Sequence, residues 1–339
     1  MIEIPSTFPM LSRVAESIYW MARYVERAEN LARFIDVSLN VILDQPQYAG
    51  SEWEPLVRTT GDEKFFEKKY GDFSPDNVFR FLTFDREYPN SIISSLIQAR
   101  ENARTVREAI SSEAWEQLNE FYIFVKAAEK QNHSMDSQTN FFQSIRQNSH
   151  LFNGILDATM SRGKGWHFAN MGRLLERADK TSRILDVKYF TLLPNVADVG
   201  TTIDDLQWSA VLRSVSGFEM YRKRYHGITA HRVVDFLILD SSFPRAVRFC
   251  IDGADESLHK IIGSPVGSYR NNAEQLMGRL KGQLAYNDVD TIINNGLHEF
   301  VDHLQNTLNT IGESVHQTFF AMRQIEDGKP VQSQSQSQT

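Results

Sequence analysis

The chain contains one arginine- and glutamate-studded phrase twice, and a repeated amphipathic helix sharply limits how it can fold. The first copy is ARYVERAENLARFIDV, residues 22–37, and the second is GRLLERADKTSRILDV, residues 172–187. Arg23, Glu26, Arg27, Ala28, Arg33, Asp36 and Val37 recur without a gap as Arg173, Glu176, Arg177, Ala178, Arg183, Asp186 and Val187, and Met21 recurs as Met171. Glu, Arg, Ala and Leu all favour helices, so scattered matches between helices are common. Agreement in the ERA triplet, the later arginine and the closing Asp-Val is more specific. It implies two related helices set into one fold.

Apolar spacing extends the first copy. Val14, Ile18, Met21, Val25, Ala28, Ala32, Ile35 and Leu39 recur at a helical period, which predicts a long amphipathic helix over 11–43 with Pro46 just beyond it. The related helix is expected over 166–193, after the SRGKG break. Between them, residues 44–70 read as a loop with short helices, and Ser74 and Pro75 read as an N-cap and first helical turn. Further helices are expected over 92–111, from 113, and over 135–160, 204–224, 230–239, 244–262, 269–286 and 296–325. Nothing alternates like a set of strands. The expectation is an all-α fold, long antiparallel helices in a bundle-like array, forming a single domain over 1–328. The repetitive polar end, 329–339, has nothing to bury and is expected to be disordered.

Charge and cysteine content narrow the function classes. Thirty-six Lys plus Arg against 43 Asp plus Glu give a formal net charge of -7, which disfavours a non-specific nucleic-acid binder. The single cysteine, Cys250, rules out an intramolecular disulfide and a thiolate-rich metal cluster. The start MIEIPSTFPM lacks the basic and apolar regions of a signal peptide, and no apolar run is long enough to span a bilayer. A cytoplasmic location without membrane contact is therefore expected.

On a helical wheel of the first copy, Val25, Ala28, Ala32 and Ile35 form the packing stripe, with Arg23, Arg27 and Asn30 nearly opposite and Glu26 toward solvent. Glu29 and Asp36 fall at the stripe's edge, as do Asp179 and Asp186 in the second copy. Helices facing each other across a twofold would bring these four carboxylates toward the core boundary, although such acids ordinarily face water or pair with arginines. A Glu-x-x-His ligand pattern is missing from both copies, and no metal or cofactor is expected. Arg23, Arg27, Arg173 and Arg177 form a candidate anion- or partner-binding set, and Glu26 and Glu176 are the candidates for a catalytic role. Arg100 and Arg104, in ARENARTVR, are a second anion-binding candidate, for which a salt-bridged, solvated helix face is the ordinary reading. HEFVDH, 298–303, spaces its histidines five apart and not four, and His226 and His231 do the same, so neither reads as a zinc pair. SRGKG lacks the rest of a phosphate-binding loop. Cys250, within AVRFCIDGA, reads as a small buried hydrophobe.

Several segments in order carry a resemblance. LSRVAESIYWMARYVERAENLARFIDV, ARENARTVREAISSEAWEQLN, GWHFANMGRLLERADKTSRILDV, YRKRYHG and FLILDSSFPRAVRFC resemble the bacterial alpha-E family, a helical family of unknown biochemical function. The resemblance covers the chain apart from its terminal tail, with Ala246 standing where a serine is expected after Pro-Arg. It implies a setting, because members resemble proteins encoded beside, or fused to, a circularly permuted ATP-grasp protein and a transglutaminase-like protein. The function so implied is an accessory or scaffold role in an ATP-grasp-associated system for peptide or amide-bond synthesis or modification. The alternative is an enzyme acting directly on such bonds through the Arg/Glu cluster. A peptide or small anionic ligand fits either role, and the resemblance transfers no catalytic residue.

Overall fold

The computed structural model describes residues 10–44, 53–58, 60–130, 135–191 and 202–321. Pro46, Pro194 and the 329–339 tail lie outside the described residues. The first half of the chain forms α1 (Ser12–Asp44), α2 (Trp53–Arg58), α3 (Glu63–Tyr70), α4 (Pro75–Phe84), α5 (Ile92–Thr105), α6 (Ser112–Ala128) and α7 (Met135–Thr159). The second forms α8 (Lys164–Thr191), α9 (Thr202–Ser214), α10 (Phe218–Arg224) and α11 (Ala230–Val234), which runs on as a π-helical turn over Asp235–Leu239. It ends with α12 (Val247–Ile262), α13 (Asn272–Tyr286), α14 (Val289–Asn294) and α15 (Leu297–Phe319). No strand occurs among the described residues.

The repeated phrases lie in α1 and α8, and these two helices cross at the centre of the molecule. α1 packs on α5 and α7, α5 on α6, and α6 on α7. α8 packs on α12 and α15, α12 on α13, and α13 on α15, so the second half repeats the neighbour pattern of the first. The repetition extends to the turns that enter α5 and α12. Residues 85–92 read DREYPNSI and residues 240–247 read DSSFPRAV. Asp85 accepts a hydrogen bond from the Glu87 backbone N–H at 3.0 Å, and Asp240 accepts from Phe243 N–H at 2.8 Å. Ser91 and Ala246 then hold the same extended N-cap backbone, but only the Ser91 hydroxyl caps its helix, accepting from Ser94 N–H. The chain is thus an internal duplication, of which the repeated helix is one part.

Five expected helices differ in extent: the one expected over 269–286 begins at Asn272, the one over 296–325 ends at Phe319, and three others stop, break or begin elsewhere. The 92–111 helix stops at Thr105, because Val106 leaves helical geometry and Ser111 opens α6 by accepting from Ala114 N–H. The 204–224 helix breaks where Ser216 takes a left-handed conformation (φ 50°) and Gly217 packs under Phe243. A Cβ on Gly217 would lie 2.9 Å from the Phe243 ring, so the close approach needs glycine there. The 244–262 helix begins only at Val247, since Pro244 and Arg245 form the turn before it.

Candidate functional site

Close contact between the two repeated helices sets up the site. Gly172 lies so near α1 that a Cβ would sit 2.5 Å from the Tyr19 carbonyl oxygen, and the equivalent position on α1 is the small Ala22. At that spacing each Glu-Arg dipeptide reaches across to the other. Arg27 donates through Nε and Nη2 to the two oxygens of Glu176, at 2.7 and 3.1 Å. Arg177 donates through the same two atoms to the oxygens of Glu26, both at 2.8 Å. These are paired forks related by exchange of the helices, the geometry in which guanidinium and carboxylate bind most strongly. Arg23 adds a third bond to Glu176 at 2.9 Å while lying over the Trp20 ring.

A fourth arginine arrives from far along the chain. Arg245, in the turn before α12, donates to Glu26 at 3.2 Å, to Asn30 Oδ1 at 2.9 Å and to Glu29. Its own carbonyl accepts from the Thr181 hydroxyl, which fixes the turn against α8. Glu29 also accepts from Arg33 at 2.7 Å and from the buried Ser149 hydroxyl at 2.7 Å. The turn before α5 carries Asn90 at the position matching Arg245, and α8 carries Lys180 at the position matching Asn30. Lys180 therefore supplies the bridging cation there, 2.8 Å from Asp179 and 3.5 Å from Glu176. Cation and asparagine have exchanged places between turn and helix, and each half retains one cation across its pair of acids.

These carboxylates are ionised and firmly held. Burial alone would raise the Glu176 carboxyl, but Arg27, Lys180 and Arg23 outweigh it and keep it well below its usual range. Burial likewise opposes ionisation of both Glu26 and Glu29, and is outweighed by Arg177 and Arg245 at Glu26 and by Arg245, Arg33 and Arg177 at Glu29. Asp179 is drawn down to about 2, against its burial, by Lys180 and Arg183. Full burial, with Arg177 and Arg33 alongside, lowers the proton affinity of Arg245.

The wheel places Glu26 toward solvent, and the structure buries it, because α1 is enclosed by α5, α7, α8 and α9 and has no open side at this level. Arg23, Arg27 and Arg177 join the network. Arg173 turns away to Asn170 at 2.7 Å and toward Asp157 at 3.9 Å, leaving its Nε buried without a hydrogen-bond partner. Arg100 and Arg104 stand apart on α5, paired with Glu101, and Arg100 lies over Trp115 and Tyr122. The four stripe-edge acids do not share one site. Asp36 pairs with Arg146 at 3.0 Å and Asp186 with His298 at 2.7 Å, while Glu29 and Asp179 take the cations already named. Cys250 is buried, which pushes its thiol up to about 12. Arg245, Asn90 and Lys180 were not candidates in the sequence; the signal that finds them is the second, shorter repeat around the two Pro turns.

Among the described residues no group of three or more His, Cys, Asp or Glu side chains is placed to hold a metal, and no helix is long and apolar enough to cross a membrane. The chain is similar to uncharacterized protein Rv2567 of Mycobacterium tuberculosis and uncharacterized protein Mb2597 of Mycobacterium bovis. Each is 22% identical over 271 residues, which is 74% of this chain and 30% of the relative. The chain thus spans less than a third of the length of these relatives. No solved structure matches it significantly. With residues 10–320 matched and Glu-Arg present at 26–27 and 176–177, the chain belongs to the Alpha-E family, described as a predicted alpha-helical domain with a conserved ER motif.

Proposed function

We propose that this chain is a helical accessory or scaffold that works with an ATP-grasp-type protein, and with a transglutaminase-like one, in a system that forms or modifies peptide or amide bonds. The observation that carries this reading is the length of the relatives. The region they share with this chain makes up 30% of each, so there it is joined to a much larger body of sequence. A domain whose central charges are locked to one another is suited to holding partners in a fixed relation. The reading places it in the cytoplasm, where an ATP-dependent partner finds its nucleotide.

A direct enzymatic role through Glu26 and Glu176 has less support. Each carboxylate is buried and accepts from two arginines, so it is a poor proton acceptor and has no open approach for a substrate. The test is capture of the tagged protein from its native host under gentle conditions, with mass spectrometry of everything enriched over a tag-only control. Stoichiometric recovery of an ATP-grasp-type protein is the expected result. Repeated recovery of this chain alone, while that protein is expressed, sinks the proposal.

A further inference from the structure

The exchange of Lys180 for Asn30 and of Asn90 for Arg245 has a spatial consequence. In the second half the broad guanidinium of Arg245 fills the space between the turn and the paired acids. Beside the turn before α5 a slender ammonium and a short amide occupy the matching positions, and a cleft remains between α1, α8 and that turn. It is partly open to solvent, with a cavity volume of about 40 Å³. Arg27, Lys180 and Arg183 line one side, and Leu31, Phe34 and Ile184 supply an apolar wall.

The cations of this cleft, Arg27, Lys180 and Arg183, share the carboxylates Glu176 and Asp179 with one another and with Arg23. Asp62, which accepts from Tyr88 and Asn90 and also acts on Arg183, is the third carboxylate in reach. Arg183 keeps donors to spare. Its Nε bonds Asp179 at 3.0 Å, while Nη1 and Nη2 have no hydrogen-bond acceptor among the described residues. The matching Arg33 spends both of its terminal nitrogens, on Ser216, Glu29 and His150. Beside the turn before α5, therefore, a planar two-donor fork from α8 faces a cleft with an apolar wall, which is the recognition chemistry of a carboxylate carrying an aliphatic group.

We infer that this cleft binds a monoanionic carboxylate with a compact apolar body, the carboxylate on Arg183 and Lys180 and the body against Leu31, Phe34 and Ile184. The inference rests on the cleft and the Arg183 fork, and is independent of the partner reading above. A free aliphatic acid and the end of a peptide share this chemistry.

The experiment is calorimetric titration of the full chain with N-acetyl-L-leucine, 4-methylpentanoate, N-acetyl-L-leucinamide and inorganic phosphate. Saturable binding of at least one of the two acids, with the neutral amide weaker by about tenfold or more, is expected from a charge-assisted fork. Preference for N-acetyl-L-leucine assigns a peptide end, and preference for 4-methylpentanoate a free acid. Two variants localise the binding. Arg183→Gln removes the fork, and the double variant Asn90→Arg with Lys180→Asn imports the filled arrangement of the other half without changing net charge. Both are expected to weaken acid binding by about tenfold or more, and the double variant is expected to keep the parent melting temperature. Equal binding of acid and amide, phosphate competing as well as the acids, or unchanged affinity in a folded Arg183→Gln protein would each overturn the assignment. So would the absence of saturable binding by either acid.

Discussion

Arg245 contacts three acceptors on α1 from a turn more than 200 residues away in sequence, and its removal leaves Glu29 and Glu26 buried with fewer cations. Unpairing a buried charge in this way costs about 3 kcal/mol or more. Arg245→Ala is therefore expected to lower the free energy of urea unfolding by that amount. Arg245→Lys is expected to recover less than half of it, because one ammonium cannot reproduce a planar fork spread over three oxygens. Equal stability of the lysine variant and the parent would contradict this geometry. The same carboxylates set the acid limit of the fold. Glu26, Glu29, Glu176 and Asp179 all ionise more readily folded than free, so the unfolded chain binds more protons as pH falls. Their contribution is fully present above the unfolded glutamate value of 4.5 and is lost as pH drops through the folded values, which for Asp179 is about 2. Urea midpoints measured from pH 7 downward should decline modestly through the histidine range, because burial makes His150 and His167 bind protons less readily folded than free, and then fall steeply below about pH 4.5. If Glu26→Gln with Glu176→Gln left that slope unaltered, these pairs would not be its source.

At the scale of helices, the cross-paired forks depend on how closely α1 and α8 approach. Gly172 faces a backbone carbonyl, which unlike a side chain cannot rotate away, so Gly172→Ala must push the helices apart and lengthen every bond between them. It is expected to cost about 2 kcal/mol or more despite the better helix propensity of alanine. Gly154, within α7, meets nothing within 4 Å, and Gly154→Ala there is expected to leave stability unchanged or raise it by up to about 1 kcal/mol. Thermal melts of the two variants separate packing from propensity, and a harmless Gly172→Ala would refute the close approach. The helices themselves were legible from apolar period and caps. The network was legible only in part, because a wheel assigns one dry face and one wet face, whereas α1 is enclosed on several sides and buries Glu26, Glu29, Asn30 and Arg33 as well as its apolar stripe. Which arginine meets which glutamate is not local information. The two helical phrases lie 150 residues apart and the two Pro turns 155, so the turns drop out of any gapless comparison that finds the helices.

At the scale of the molecule, two similar four-helix arrays meet chiefly through α1 and α8, and the direct link between them is the exposed turn at 161–163. Each array brings acids whose cations sit in the other: Glu26 needs Arg177 and Arg245, and Glu176 needs Arg23 and Arg27. Neither array can bury its share of the network alone without leaving charges unpaired in a low-dielectric interior. A protease site engineered into 161–163 and cleaved in the folded protein should accordingly leave two fragments that elute together. Addition of salt to about 0.5 M should not separate them, since screening acts weakly on buried pairs. Either fragment purified alone in denaturant and diluted into buffer should show no cooperative melt, and mixing the two should restore one. Separation on cleavage, with each fragment keeping its own transition, would mean that the arrays are autonomous and the crossed pairs merely ornament their contact. The duplicated neighbour pattern makes that outcome conceivable; the reciprocal dependence of the acids on the opposite array argues against it, because an autonomous array would have to neutralise its central glutamate from within.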